Sequence, residues 1–243
     1  MKRLLTLFLL VIPGLVWASE HAHLDQVNID LTDKPSLQRG ARLFVNYCLS
    51  CHSARYMRYN RMGRDLGLTD KQVIDNLMFA AEKVGEQMKV AMPADDAAKW
   101  FGAAPPDLTL EARLRGPDWI YTYLRTFYLD PSRPFGVNNL VFPSVGMPHV
   151  LWQLQGWQKP VYKTIEHAGH KEKVIEKLEL VSPGQLSPAK YDAAVRDLVN
   201  FMTYMAEPIK LKRTALGVRV LIFLAVFTVL SYLMKKEYWK DVH

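Results

Sequence analysis

The sequence predicts a mainly α domain followed by a single membrane-spanning helix, and three observations carry that expectation. Apolar residues recur at helical spacing in two segments, one entered from Ser36 and one from Pro188. Residues 215–234 form an almost unbroken apolar run. Of the 243 residues, 49% are hydrophobic and only two are cysteine, which excludes both a disordered chain and a disulfide-stapled scaffold.

In chain order, the first element is a leader. Lys2 and Arg3 precede an apolar run from Leu4 to Val16, broken by Pro13 and Gly14, that reaches a small-residue site at Val16-Trp17-Ala18. This is the layout of a cleavable secretory signal over 1–18, and the run is too short to span a bilayer. An exported body over 19–209 follows.

The next element is a helix in which Ser36, beside Pro35, is the expected N-cap, with Leu37, Ala41, Phe44 and Cys48 on one face. Gly40 would let another helix approach closely. The expected partner runs from Pro188 to about Ala206. Ser187 is its cap, and Tyr191, Ala194, Val195, Leu198, Met202 and Met205 form its apolar stripe, which makes both methionines core residues. Glu207-Pro208 ends it. Between these helices, Asp95-Asp96-Ala97-Ala98 after Met92-Pro93 reads as a helix start. The charged stretch from Gln153 to Pro183 reads as a peripheral insertion with His167 and His170 on its surface.

The last element is the anchor. Residues 215–234 carry one charge, Arg219 near the start, and as a helix they would extend about 30 Å, the thickness of a hydrocarbon core. The tail over 235–243 opens with Lys235, Lys236, Tyr238, Trp239 and Lys240, which suit a membrane interface. With a secretory signal in front and one span behind, the body lies outside and the tail in the cytoplasm.

The formal charge of +7 follows this layout. Nine of the 31 Lys+Arg and two of the 24 Asp+Glu flank or enter the two apolar runs, leaving 22 of each sign in the body. A neutral body has no electrostatic footprint for nucleic acid.

Both cysteines fall in Cys48-Leu49-Ser50-Cys51-His52, the C-x-x-C-H pattern of covalent haem attachment. Two thiols one helical turn apart can each add to a haem vinyl group, and the next residue places an imidazole under the iron. A structural zinc site would need four ligands, and a thioredoxin-like dithiol would need a βαβ surround. One haem c per chain, with His52 as proximal ligand, is therefore expected. For the opposite face of the iron the residues leave four options: Met147 in the Pro- and Gly-bounded loop Phe142-Pro143-Ser144-Val145-Gly146-Met147-Pro148, Met92, His149, or an open position. N- and C-terminal helices crossed around a haem resemble the class I cytochrome c fold, here with insertions.

Further blocks sharpen this. Gly102-Ala103-Ala104-Pro105-Pro106-Asp107-Leu108-Thr109, then Ala112-Arg113-Leu114-Arg115, then Gly146-Met147-Pro148 and one C-terminal anchor resemble, in order and spacing, the cytochrome c1 family. That family is the haem subunit of the ubiquinol:cytochrome c oxidoreductase, and the ending Glu237-Tyr238-Trp239-Lys240-Asp241-Val242-His243 is similar to proteobacterial members. The resemblance implies that Met147 is the second iron ligand with His52, and that Arg115, or else Arg113, contacts a haem propionate. It implies a place in a bacterial inner membrane beside cytochrome b, with the haem domain in the periplasm. It also implies one-electron transfer from a Rieske iron–sulfur protein to cytochrome c. No residue is then needed as acid, base or nucleophile. A tethered shuttle to a terminal oxidase, and a haem enzyme with an open distal site, are the competing readings.

Overall fold

A computed structural model describes residues 23–167 and 170–241, without the side chains of 167–171. The expected leader over 1–18 and the surface reading of His167 and His170 lie outside the described residues.

Helix α1 spans Lys34–Tyr47, and its N-cap is Asp33 rather than the expected Ser36. The Asp33 carboxylate accepts the Ser36 N–H at 3.0 Å, which places Pro35 in the first turn, where its missing N–H costs nothing. Ser36 is thereby released to the core. Its hydroxyl donates to Asp197 at 2.7 Å and accepts from the Asn200 amide at 3.0 Å.

Helix α8, Pro188–Ala206, has the bounds the sequence implied, with N-cap Ser187 and C-cap Glu207. It packs across α1 at Gly40, where an added Cβ would lie 2.1 Å from the Asp197 carbonyl oxygen. Only glycine permits that approach. Beside it, the fully buried rings of Phe44 and Phe201 meet at 5.6 Å. Burying each contributes roughly 1.5–3 kcal/mol. Asp197, almost fully buried, is satisfied by Ser36 and by both arms of Arg39, at 2.5 and 3.2 Å. Met202 and Met205 are core residues, as the stripe required.

Short elements fill the interval between α1 and α8. Strand β1, Ala54–Arg58, pairs antiparallel with β2, Gln87–Met88. Helices α2, Tyr59–Leu66, and α3, Asp70–Leu77, lie between these strands, α3 opened by a Thr69–Gln72 capping box. They bury Tyr59, Met62, Leu66 and Val73 against α1. Helix α4, Ala94–Phe101, begins where the Asp95-Asp96 pair indicated. Helices α5, Glu111–Leu114, and α6, Pro117–Arg125, lead into a hairpin of β3, Phe127–Leu129, and β4, Val137–Asn139.

After α7, Trp152–Gln155, the charged insertion forms a long antiparallel hairpin of β5, Gly156–His167, and β6, His170–Pro183. Gly156, at φ +93°, starts it, and a Cβ there would lie 2.1 Å from the Ser182 carbonyl oxygen.

Helix α9, Lys210–Tyr238, extends past the expected 215–234 at both ends, because the basic residues flanking the apolar run are themselves good helix formers. Within its 29 residues an 18-residue stretch reaches a mean hydropathy of 2.2, and among the described residues none of the helix is buried. A helix apolar on every face and covered by no protein requires lipid or partner helices. Only Glu207, Pro208 and Ile209 separate it from α8, and the Arg213 guanidinium donates back to Glu207 at 2.5 Å.

Candidate functional site

The α1 helix delivers the motif. Beyond Tyr47 the chain makes one more turn, in which Cys48 N–H donates to Phe44 O, and Cys51 and His52 N–H both donate to Cys48 O, at 2.9, 3.0 and 2.8 Å. Both thiols are free. Burial pushes the Cys48 thiol up to about 12, so it is a protonated thiol rather than the low-pKa thiolate of a redox dithiol. Among the described residues no three His, Cys, Asp or Glu side chains converge on a metal position. An iron held by His52 would have to bring most of its other ligands with it, as a porphyrin does.

His52 is oriented by one bond. Its Nδ1 stands 2.7 Å from the Pro106 carbonyl oxygen, and a carbonyl can only accept, so Nδ1 carries the hydrogen and Nε2 keeps a free lone pair. Burial holds the imidazole below its usual pKa, which keeps that lone pair available. The Pro106 segment is itself fixed: Leu108 N–H donates to Ser53 O at 2.8 Å, and Asp107 accepts from the backbone and side chain of both Arg55 and Thr109. Burial would raise the Asp107 pKa, but these hydrogen bonds outweigh it and hold the carboxyl below its ordinary value.

Met147 sits half-buried against the small cluster of Phe127, Val137 and Val145. The Tyr123 hydroxyl donates to its sulfur at 3.4 Å. His149 is buried, stacked on Phe127 at 5.0 Å and edge-on to Trp157 at 5.8 Å, and burial lowers its pKa to about 4. Met92 lies on the approach to α4. Arg115 pairs with Glu111 at 3.1 Å and lays its guanidinium over Trp119 at 4.5 Å, with Phe142 at 5.6 Å. Trp119 in turn stacks on Tyr123 at 5.0 Å, so Arg115 is linked to Met147 only through the rings of Trp119 and Tyr123. Arg113 lies near Glu207 at the end of α8, whose pKa is lowered chiefly by the hydrogen bond from Arg213, with the Arg113 charge a smaller contribution.

One segment therefore contacts both candidate residues: the Pro106 carbonyl near its start meets His52, and the Tyr123 hydroxyl near its end meets Met147. Sequence reasoning singled out Cys48, Cys51, His52, Met147 and Arg115 as candidates; it did not point to the Pro106 carbonyl beside His52, a main-chain group, or to Tyr123, whose contact with Met147 no local pattern encodes.

The model of the cytochrome C1 family matches residues 25–242. The chain belongs to the cytochrome c1 family. It is 53% identical to cytochrome c1 of Allochromatium vinosum over 100% of this chain and 99% of that one. It is 45% identical, with the same coverage, to a Nitrosomonas europaea protein named ammonia monooxygenase gamma subunit, and 28% identical to cytochrome c1 of Rhodospirillum rubrum over 86% and 83%. As a cytochrome c1 family member it is a c-type cytochrome with covalently bound haem c, a membrane-anchored electron-transport subunit of the cytochrome bc1 complex. The paired thiols and the uncommitted Nε2 of His52 fit that cofactor.

Proposed function

We propose that this cytochrome c1 family chain takes single electrons from a Rieske iron–sulfur protein and passes them to a cytochrome c, beside cytochrome b on the periplasmic face of a bacterial inner membrane. In this reading residues 1–18 are removed on export, 19–209 form the periplasmic domain, α9 is the anchor and the tail stays in the cytoplasm.

Cys48 and Cys51 would form the two thioethers to haem c, His52 Nε2 and Met147 Sδ would hold its iron, and Arg115 would contact a propionate. Bound haem c supplies a one-electron iron couple. The residues around it set its potential: the Met147 thioether is a soft donor that favours the reduced metal, and the neutral Pro106 carbonyl leaves His52 a neutral imidazole. Tyr123 and the aromatic side chains near Met147 limit access of water to that side.

The observation that carries the reading is the 2.7 Å contact of His52 Nδ1 with Pro106, which commits one ring nitrogen and reserves the other next to two free thiols. The test is purification in mild detergent with haem spectroscopy and subunit identification. We expect one covalent haem per chain, low-spin with a methionine ligand, together with cytochrome b and a Rieske protein. A high-spin haem that binds carbon monoxide readily would favour an enzyme with an open distal site. Recovery with monooxygenase subunits instead of cytochrome b would favour the activity in the Nitrosomonas relative's name.

A further inference from the structure

We propose that Asn139 is a positioning residue for the iron ligand: its buried amide holds the Met147 loop and the helix turn bearing Tyr123 in a single register, and so fixes the hydrogen bond between Tyr123 and the Met147 sulfur. The proposal rests on Met147 being the second ligand.

Asn139 ends β4 and is 1% exposed. Its Nδ2 donates at 2.7 Å to the Tyr123 carbonyl in the last turn of α6, which also accepts the longer bond from the Thr126 N–H at 3.4 Å. Its Oδ1 accepts the N–H groups of Val141 and Phe142 at 3.0 and 3.2 Å, where the Met147 loop begins. One neutral amide thus joins two segments through a donor and an acceptor at once. Aspartate keeps the acceptor and loses the donor; alanine loses both.

The rest of the loop is held from the same hairpin. Ser144 has φ +63°, a left-handed conformation that is unfavourable for a non-glycine residue, so its surroundings must enforce it. Its N–H donates to Asn138 Oδ1 at 2.8 Å, and its carbonyl accepts from Arg133 Nη2 at 2.9 Å. Met147 follows three residues later. With the loop pinned at 141–144 and α6 pinned at Tyr123, the Tyr123 hydroxyl meets the sulfur at 3.4 Å. A donor on that sulfur draws on the lone pair that ferric iron needs most, so it favours the ferrous state.

The test uses the full chain in the detergent-purified complex, with Asn139→Ala and Asn139→Asp, each also in a Tyr123→Phe background. We expect covalent haem to be retained, carbon monoxide to bind the reduced protein more readily, and the equilibrium constant for reduction to fall about tenfold, which for one electron is about 59 mV. In the Tyr123→Phe background the same substitutions should lower the potential by less than half as much, a coupling that general loosening of the fold would not produce. Wild-type potential and carbon monoxide access in both variants would overturn the proposal, as would an equal shift with and without Tyr123. Loss of covalent haem in both variants also counts against it, because attachment depends on Cys48, Cys51 and His52. Met147→Leu separates the two claims: if it keeps a methionine-ligated spectrum, the ligand assignment fails, whereas if it loses that spectrum while the Asn139 variants are unaltered, only the role of Asn139 fails.

Discussion

Gly40 in α1 and Asp197 in α8 approach so closely that a Cβ on residue 40 would lie 2.1 Å from the Asp197 carbonyl oxygen and 2.6 Å from the Phe201 Cβ. Neither is the free end of a flexible side chain. Gly40→Ala should therefore push the two helices apart, costing about 3 kcal/mol or more. Thermal unfolding of the holoprotein in detergent should show it as a fall of several degrees, and an unchanged transition would mean that the helices are not held at this spacing.

Asp107 should make stability depend on pH in a defined direction. Its pKa is lower in the folded protein than the ordinary 3.8, so the unfolded chain binds the proton more readily. Its contribution is complete above the unfolded value and is lost as pH falls through the folded one. Asp107→Ala should cost about 1–3 kcal/mol at pH 7 by leaving Arg55 and Thr109 donors unpaired, with the difference from wild type shrinking below about pH 4. Unfolding measured at several pH values checks both the size and the slope.

Met147→Leu should keep covalent haem yet lose electron transfer. Leucine is close to methionine in volume, so packing loss should stay below about 1.5 kcal/mol. Without the thioether the potential should fall, and each 59 mV, about tenfold in equilibrium constant for one electron, makes reduction harder. Redox titration and quinol turnover measure this, with Met92→Leu as the control that should behave as wild type. If Met92→Leu abolishes the methionine-ligated spectrum instead, the two methionines must exchange roles.

Cys51→Ala or His52→Ala should abolish mature holoprotein, because both lie in the single turn that attaches and ligates the cofactor. Haem peroxidase staining on a denaturing gel checks this directly, and normal covalent haem in either variant would contradict the site.

A chain ending at Pro208 that keeps residues 1–18 should yield a water-soluble haem protein. Every residue of the site precedes α9, and none of the described residues of α9 is buried against the domain. Recovery only as haem-free aggregate would show that folding needs the anchor.

Much of this was legible in the sequence for identifiable reasons. The bounds of α8 are written in Ser187-Pro188 and Glu207-Pro208, and the fit of α1 against it in Gly40. The spacing of Cys48, Cys51 and His52 states its own chemistry. Ser36 misled because Asp33 competes for the same cap and leaves Pro35 in a tolerated place. The β5–β6 hairpin was not legible because its second strand, with Lys and Glu at helical intervals, matches neither period cleanly, and Pro160 interrupts the first. Asn139 was invisible because its role is to join Tyr123 to Val141 and Phe142, and nothing local marks it.

The acceptor that orients His52 belongs to the main chain at Pro106. Every amino acid carries that carbonyl, so no change of a single codon at 106 can delete it. Point substitution can weaken the proximal imidazole only indirectly, by moving the path of the chain through Ser53, Arg55, Asp107 or Thr109. Insertions and deletions between Gly102 and Thr109, by contrast, displace the carbonyl outright. A saturation library across this block should thus tolerate many replacements at 106 and very few changes of length, a pattern of genetic constraint set by a backbone atom.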